Sequence, residues 1–129
     1  MTTKEKLSLL WVFVTANYIF CDVFTLMYHE DLKKLLAGNV DGMVITQGFL
    51  LGFAVLMEAG MIMMVLSRLL RHRLNRILNI ATGSVLSLAQ AATLFAGPVT
   101  LHYAFFSVVE VATTLLIVWT ALRWSDADA

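Results

Sequence analysis

The sequence predicts an all-α, antiparallel four-helix transmembrane bundle forming a single membrane domain over residues 1–129. Three observations carry that expectation. The chain is 60% hydrophobic and only 14% charged, with a mean hydropathy of +0.81, whereas soluble domains are about 45–50% apolar and about 25% charged. Four apolar runs, at about 7–28, 43–66, 77–95 and 101–122, each approach the ~20 residues needed to cross a ~30 Å hydrocarbon core. The connections between them are short, so successive helices pack as up-down-up-down neighbours.

The first run follows Lys4 and Lys6, as the core of a signal peptide would. It is too long for one, however. Asn17 and Asp22 interrupt it, no small-x-small site ends it, and Phe20 stands before Cys21 where a lipoprotein site needs a small residue. A retained span is expected. At heptad spacing Ser8, Trp11, Thr15, Tyr18, Asp22, Thr25 and His29 share one stripe. The connection at 29–42 carries the turn pairs Gly38-Asn39 and Asp41-Gly42. In the second run, Gly48-x-x-x-Gly52 and Gly60 permit close helix approach. A basic connection at 67–76 leads to the third run, which is the most polar, with Asn79, Thr82, Ser84, Ser87, Gln90 and Thr93. Its polarity asks for cover by neighbouring helices. Gly97-Pro98 makes a tight turn into the fourth run.

Orientation follows from the basic residues. Lys4, Lys6, Arg68, Arg71, Arg73, Arg76 and Arg123 gather at one end, and only Lys33 and Lys34 stand at the other, beside Glu30, Asp31 and Asp41. This bias places both termini of the multi-pass chain in the cytoplasm. Trp11, Trp119 and Trp124 then fall near the inner boundary, and Tyr28 and Tyr103 near the outer one. The arginine connection is read as a topology signal, with an anionic headgroup site as the sharper alternative.

Three acids, Asp22, Glu58 and Glu110, lie inside the spans. Each costs about 2.5–3.5 kcal/mol at mid-membrane even on the lenient insertion scale, so protonated forms or specific partners are expected. The second run offers the stripe Gln47, Leu51, Ala54, Glu58 and Met61. The third offers Asn79, Gly83, Leu86, Gln90 and Thr93, and the fourth Tyr103, Phe106, Glu110, Thr113 and Ile117. If all four stripes face inward, the core holds a ladder of hydrogen-bonding and proton-exchanging groups. The bland account is interhelical glue. The sharper one is a cavity in which Asp22, Glu58 and Glu110 bind a ligand or protons, with Asn17, Tyr18 and Gln90 orienting it.

Other chemistry is thinly supported. A single cysteine excludes an internal disulfide and any CxxC motif, and Cys21 reads as a packing residue. His29 and His102 read as interfacial histidines, since no HxxxH or ExxH spacing supports a metal or haem. His72 reads as a solvated loop residue and the seven methionines as adaptable packing. No cofactor or metal is expected, and zero net charge gives no field to recruit nucleic acid.

The pattern Asn17-Tyr18-Ile19-Phe20-x-Asp22, then Leu56-Met57-Glu58, Ser67-Arg68, Asn75-Arg76, Phe105-Phe106, Glu110 and Leu115 to Trp119, resembles an uncharacterised family of small bacterial four-span integral membrane proteins. The resemblance runs from about Leu9 to Trp124. It implies a bacterial inner-membrane location and four spans, and no activity. Size and layout are also broadly similar to the DoxX-like proteins and the small multidrug resistance exporters. Those exporters carry one acid, a glutamate, in the first span, where this chain has Asp22 and two further acids.

The leading functional expectation is a membrane protein that binds or transports a small amphipathic or cationic molecule, coupled to protons through Glu110 between Asp22 and Glu58. A structural or assembly subunit docking a membrane-protein partner is the second, with self-association expected in either case. The third is an intramembrane acid–base enzyme acting on a lipid or isoprenoid.

Overall fold

The computed structural model describes residues 1–40 and 42–125. Five helices are α1 (Thr3–Met27), α2 (His29–Leu36), α3 (Gln47–Leu69), α4 (His72–Leu94) and α5 (Leu101–Leu122). Two short strands, β1 (Asn39–Val40) and β2 (Met43–Val44), pair antiparallel between α2 and α3. α1, α3, α4 and α5 are each long and apolar enough to cross a membrane, and they pack together as a bundle. Around the bundle the order is α1, α3, α4, α5, with α1 against both α3 and α5, α4 firmly on α5, and α3 least engaged with α4.

Three of these helices start on a threonine. The Oγ1 atoms of Thr2, Thr46 and Thr100 accept from the amides of Glu5, Phe49 and Tyr103, each satisfying a first-turn donor. α3 therefore begins at Gln47 rather than at the start of its apolar run, and Met43 and Val44 belong to β2.

Both longer connections are more ordered than the turn signals suggested. The segment 29–42, read as a loop, contains α2. Its Glu30 and Asp31 lie in the first turn and Lys33 and Lys34 in the last, which complements the helix dipole. Gly38 (φ 74°) ends it, Gly42 (φ 90°) turns the hairpin, and the Gly42 amide donates to Asn39 Oδ1 at 3.0 Å. Asp41 lies outside the described residues. The segment 67–76, also read as a connection, is helical except at Leu70 and Arg71. Hydropathy marks where lipid-compatible side chains stop; the backbone stays helical through the polar residues that follow.

The tightest packing lies at the end that carries the termini. Leu7, Trp11, Val14, Met63, Leu86, Ile117 and Trp124 form the core there, continued by Tyr18. Within it, Trp11 Nε1 donates to Asn79 Oδ1 at 2.7 Å, and Asn79 Nδ2 donates to the Asn75 carbonyl at 2.9 Å and to Asn75 Oδ1 at 2.6 Å. Asn75 Nδ2 in turn donates to the Ser67 carbonyl at 2.7 Å. All four residues are fully buried. Ser8 Oγ donates to the Met64 carbonyl and accepts from Arg68 Nε, tying α1 to α3. Arg76 spans from α4 to the end of α5, where Nε and Nη2 donate to the carbonyls of Ala121 and Leu122 at 2.9 and 3.1 Å.

These contacts correct several sequence readings. Trp11 and Trp124 are buried core residues rather than boundary markers; only Trp119 faces outward, with the Arg123 guanidinium 5.0 Å from its ring. His72 is not a solvated loop residue: it opens α4 and packs edge-on against Trp124. Gly60 does allow close approach, with Leu86 and Trp11 against it, but among the described residues nothing packs on Gly52, and Gly48 meets only its own cap.

Candidate functional site

Towards the opposite end, which carries the hairpin, the bundle opens. The buried residues of α3 are Gly60, Met63 and Ser67, all in its second half. No residue of its first half is fully buried, although Leu56 and Met57 pack partly against the core, and the inward face of α1 is less covered there. On that face Ser8, Trp11, Thr15 and Tyr18 are buried, whereas Asp22, on the same stripe, is exposed into a cavity.

The cavity measures about 390 Å³, within the range of small-molecule sites. Asp22 and Thr25 enter it from α1, Thr93 from α4, Tyr103 from α5 and Phe53 from α3. α2 contributes Asp31 and Leu35, and the hairpin Val40 and Met43, so the first connection forms part of the wall. Among the described residues, the lining holds the carboxylates of Asp22 and Asp31 and no lysine, arginine or histidine. A wider groove of about 810 Å³ adjoins it on the far side of Asp31, where Glu30, Lys34 and His102 take part.

Hydrogen bonds fix the polar residues of the wall. Tyr103 OH donates to Thr93 Oγ1 at 2.6 Å, and Thr93 Oγ1 donates to the Gln90 carbonyl at 2.7 Å. Thr25 Oγ1 lies 3.2 Å from His102 Nε2, joining α1 to α5, and the other ring nitrogen lies 3.1 Å from the Thr100 hydroxyl. At the rim, Tyr28 OH donates to Glu30 Oε2 at 3.2 Å, and that carboxylate holds the phenol above its ordinary pKa.

Two turns along α5 from Tyr103, roughly 10 Å, Glu110 is 1% exposed and its Oε2 has no hydrogen-bond partner in the protein. Tyr18 OH is likewise buried without a partner. Glu110 lies within electrostatic range of Tyr18, Cys21 and Asp22 on α1 and of Tyr103 on its own helix. Such groups are costly to bury unpaired, and the two stand on the packed helices α1 and α5.

The remaining sequence candidates are placed differently. Gln90 Nε2 donates to Ser107 Oγ at 2.7 Å, and Ser87 Oγ donates to Thr114 Oγ1 at 2.6 Å, so both bind α4 to α5. Asn17 Nδ2 donates to the Phe13 carbonyl of its own helix. Glu58 is exposed, and so is every residue of the stripe Gln47, Leu51, Ala54, Glu58 and Met61. The four-stripe ladder is therefore a three-stripe one: α3 presents its acid away from the bundle. The reason is that small and apolar residues of α3, Gly60 and Met63 above all, fit the core against Trp11 and Leu86 better than the acid would.

Sequence reasoning missed Asp31, Leu35 and the hairpin as wall residues. No local spacing marks them, since Leu32 and Leu36, the neighbours of Leu35 at helical spacing, are exposed and line no wall. Among the described residues, no three of His, Cys, Asp and Glu converge as metal ligands would.

Comparison with curated proteins and with solved structures finds no significant match. The model of one family matches residues 1–129, and the chain belongs to that family, DUF6326, a family of unknown function.

Proposed function

We propose that this protein binds a small amphipathic cation in the cavity at its hairpin end. One observation carries the reading: among the described residues, the cavity lining pairs the carboxylates of Asp22 and Asp31 with apolar walls from Phe53, Leu35, Val40 and Met43, and contains no basic side chain. A cation entering there gains charge complementarity and apolar burial together. Thr25, Thr93 and Tyr103 supply hydroxyls that orient it.

In this reading Glu110 and Tyr18 are the proton-handling pair. A ligand cation held by Asp22 changes the field at Glu110, which lies within electrostatic range, so ligand binding and proton occupancy are linked. Asp22 stands at the cavity and Glu110 deeper in the bundle, an order suited to exchanging a cation for a proton. The gathering of basic residues at the terminal end supports a cytoplasmic position for the termini in an inner membrane, with the cavity opening to the opposite side.

Native mass spectrometry of the protein in nanodiscs tests the reading, comparing wild type with Asp22→Asn, Asp31→Asn and Glu110→Gln. A retained small-molecule mass on wild type that Asp22→Asn loses is the expected result. A retained mass that survives all three substitutions unchanged places any ligand elsewhere and removes the proposal.

A further inference from the structure

Glu58 is the central residue of α3, eleven positions from either end of Gln47–Leu69, and it is exposed on the outside of the bundle. An ionisable side chain at mid-span on a surface otherwise built for lipid needs a partner. Gln47, Leu51, Ala54, Glu58, Met61 and Val65 are all exposed. They succeed one another at spacings of four and three residues, the repeat of a left-handed helix–helix seam. Of the four spans, α3 is also the least covered: 11% of its most apolar window is buried within the protein, against 22–33% for the others.

We infer that this seam is a homodimer interface, in which α3 packs parallel against α3 of a second copy and the two Glu58 carboxyls hydrogen-bond to each other across the two-fold axis. The depth of Glu58 argues for a second copy as occupant. A two-fold axis along the membrane normal brings Glu58 to its twin at the same depth, whereas no lysine or arginine lies between residues 7 and 32, between 47 and 67 or between 77 and 122 to offer it an ion pair. The contact is isologous, so it closes at two chains. Ala54, one turn from Glu58 on the same seam, lets the backbones approach closely enough for the carboxyls to meet. With a proton on each, either carboxyl donates to the other and accepts from it, so no unpaired acid and no net charge is left in lipid.

Cysteine cross-linking of the full chain in liposomes tests the arrangement, with Cys21→Ser to remove the native thiol. Leu51→Cys, Ala54→Cys and Met61→Cys lie on the seam, while Phe20→Cys on α1 and Leu115→Cys on α5 are equally lipid-exposed controls. Oxidation is expected to give disulfide-linked dimers from the seam positions and monomers from the controls. In a dilution series read by energy transfer between labelled copies, Glu58→Leu is expected to weaken association about tenfold and Glu58→Gln, which keeps a donor and an acceptor, much less. Circular dichroism on the same samples separates weakened association from loss of fold. Seam cysteines that cross-link no better than the controls, or a Glu58→Leu protein that associates as tightly as wild type, would overturn the inference.

Discussion

Trp11 on α1 donates its indole proton to Asn79 Oδ1 on α4 at 2.7 Å, and both side chains are fully buried. The same oxygen accepts from Ser67 Oγ on α3 at 3.4 Å. One amide thus collects α1, α3 and α4 at a single point, and Asn75 extends the contact to the α3–α4 turn through the Ser67 carbonyl. Replacing it with an apolar residue strands a buried indole N–H and a buried hydroxyl together. Asn79→Ala is expected to cost about 2–3 kcal/mol, read as a lower midpoint in thermal unfolding in detergent. Combining it with Trp11→Phe, which removes the stranded donor, should cost less than the sum of the single changes.

Gly83 lets α4 approach α5 closely. A Cβ built there meets Val118 Cγ2 at 2.8 Å and the Thr114 carbonyl at 3.4 Å. Gly83→Ala is expected to destabilise the bundle by about 1–3 kcal/mol through overpacking, and Val118→Ala in the same chain to restore much of the loss. Equal stability of Gly83→Ala and wild type would show that the two helices are further apart than described.

Arg76 holds the end of α5 by donating to two terminal carbonyls, Ala121 and Leu122. Arg73, one position into α4, is exposed. Hydrogen exchange over residues 119–123 is therefore expected to quicken about tenfold or more in Arg76→Gln, as a charged hydrogen bond of about 1.5–3 kcal/mol is lost. Arg73→Gln should leave it unchanged. Arg76 thus serves the fold as well as any topology signal.

At the hairpin end, the Tyr28 phenol titrates above its ordinary value because the Glu30 carboxylate accepts its proton in a hydrogen bond and repels the phenolate. The sign is fixed by that shift. The bond contributes while pH is below the ordinary phenol value and is lost as pH rises through the raised one. Glu30→Gln should move the Tyr28 titration to lower pH, followed by carbon NMR of labelled tyrosine rings. An unmoved titration would mean that the bond does not form in solution.

Much of the fold was legible because the spans announce themselves by composition, and because the α1 stripe from Ser8 to Asp22 combines a helical period with a few polar side chains. The α4 and α5 stripes were legible for the same reason, and Gln90, Thr113 and Glu110 fall on inward or hydrogen-bonded positions. The rotation of α3 was not. Its single acid suggested an inward face, but burial on that helix is decided by which side packs closely, and Gly60 with Met63 does so against Trp11 and Leu86. Asn75 and Arg76 looked like loop residues because polarity and helix ends coincide only loosely; Asn75 is instead fully buried. The cavity wall was hidden for a different reason. Asp31 and Leu35 come to Asp22 only because α2 folds back over the open end of the bundle, a long-range placement that no local period encodes.

The most direct measurement of the central claim is a pair of titrations into the protein in nanodiscs, followed by calorimetry: tetraphenylphosphonium, and tetraphenylborate as an anion of nearly the same shape. The account predicts saturable binding of the cation, weakened about tenfold or more by Asp22→Asn as one charge-assisted contact is lost, and no saturable binding of the anion. Equal binding of both ions, or cation binding indifferent to Asp22→Asn and Asp31→Asn, would contradict it.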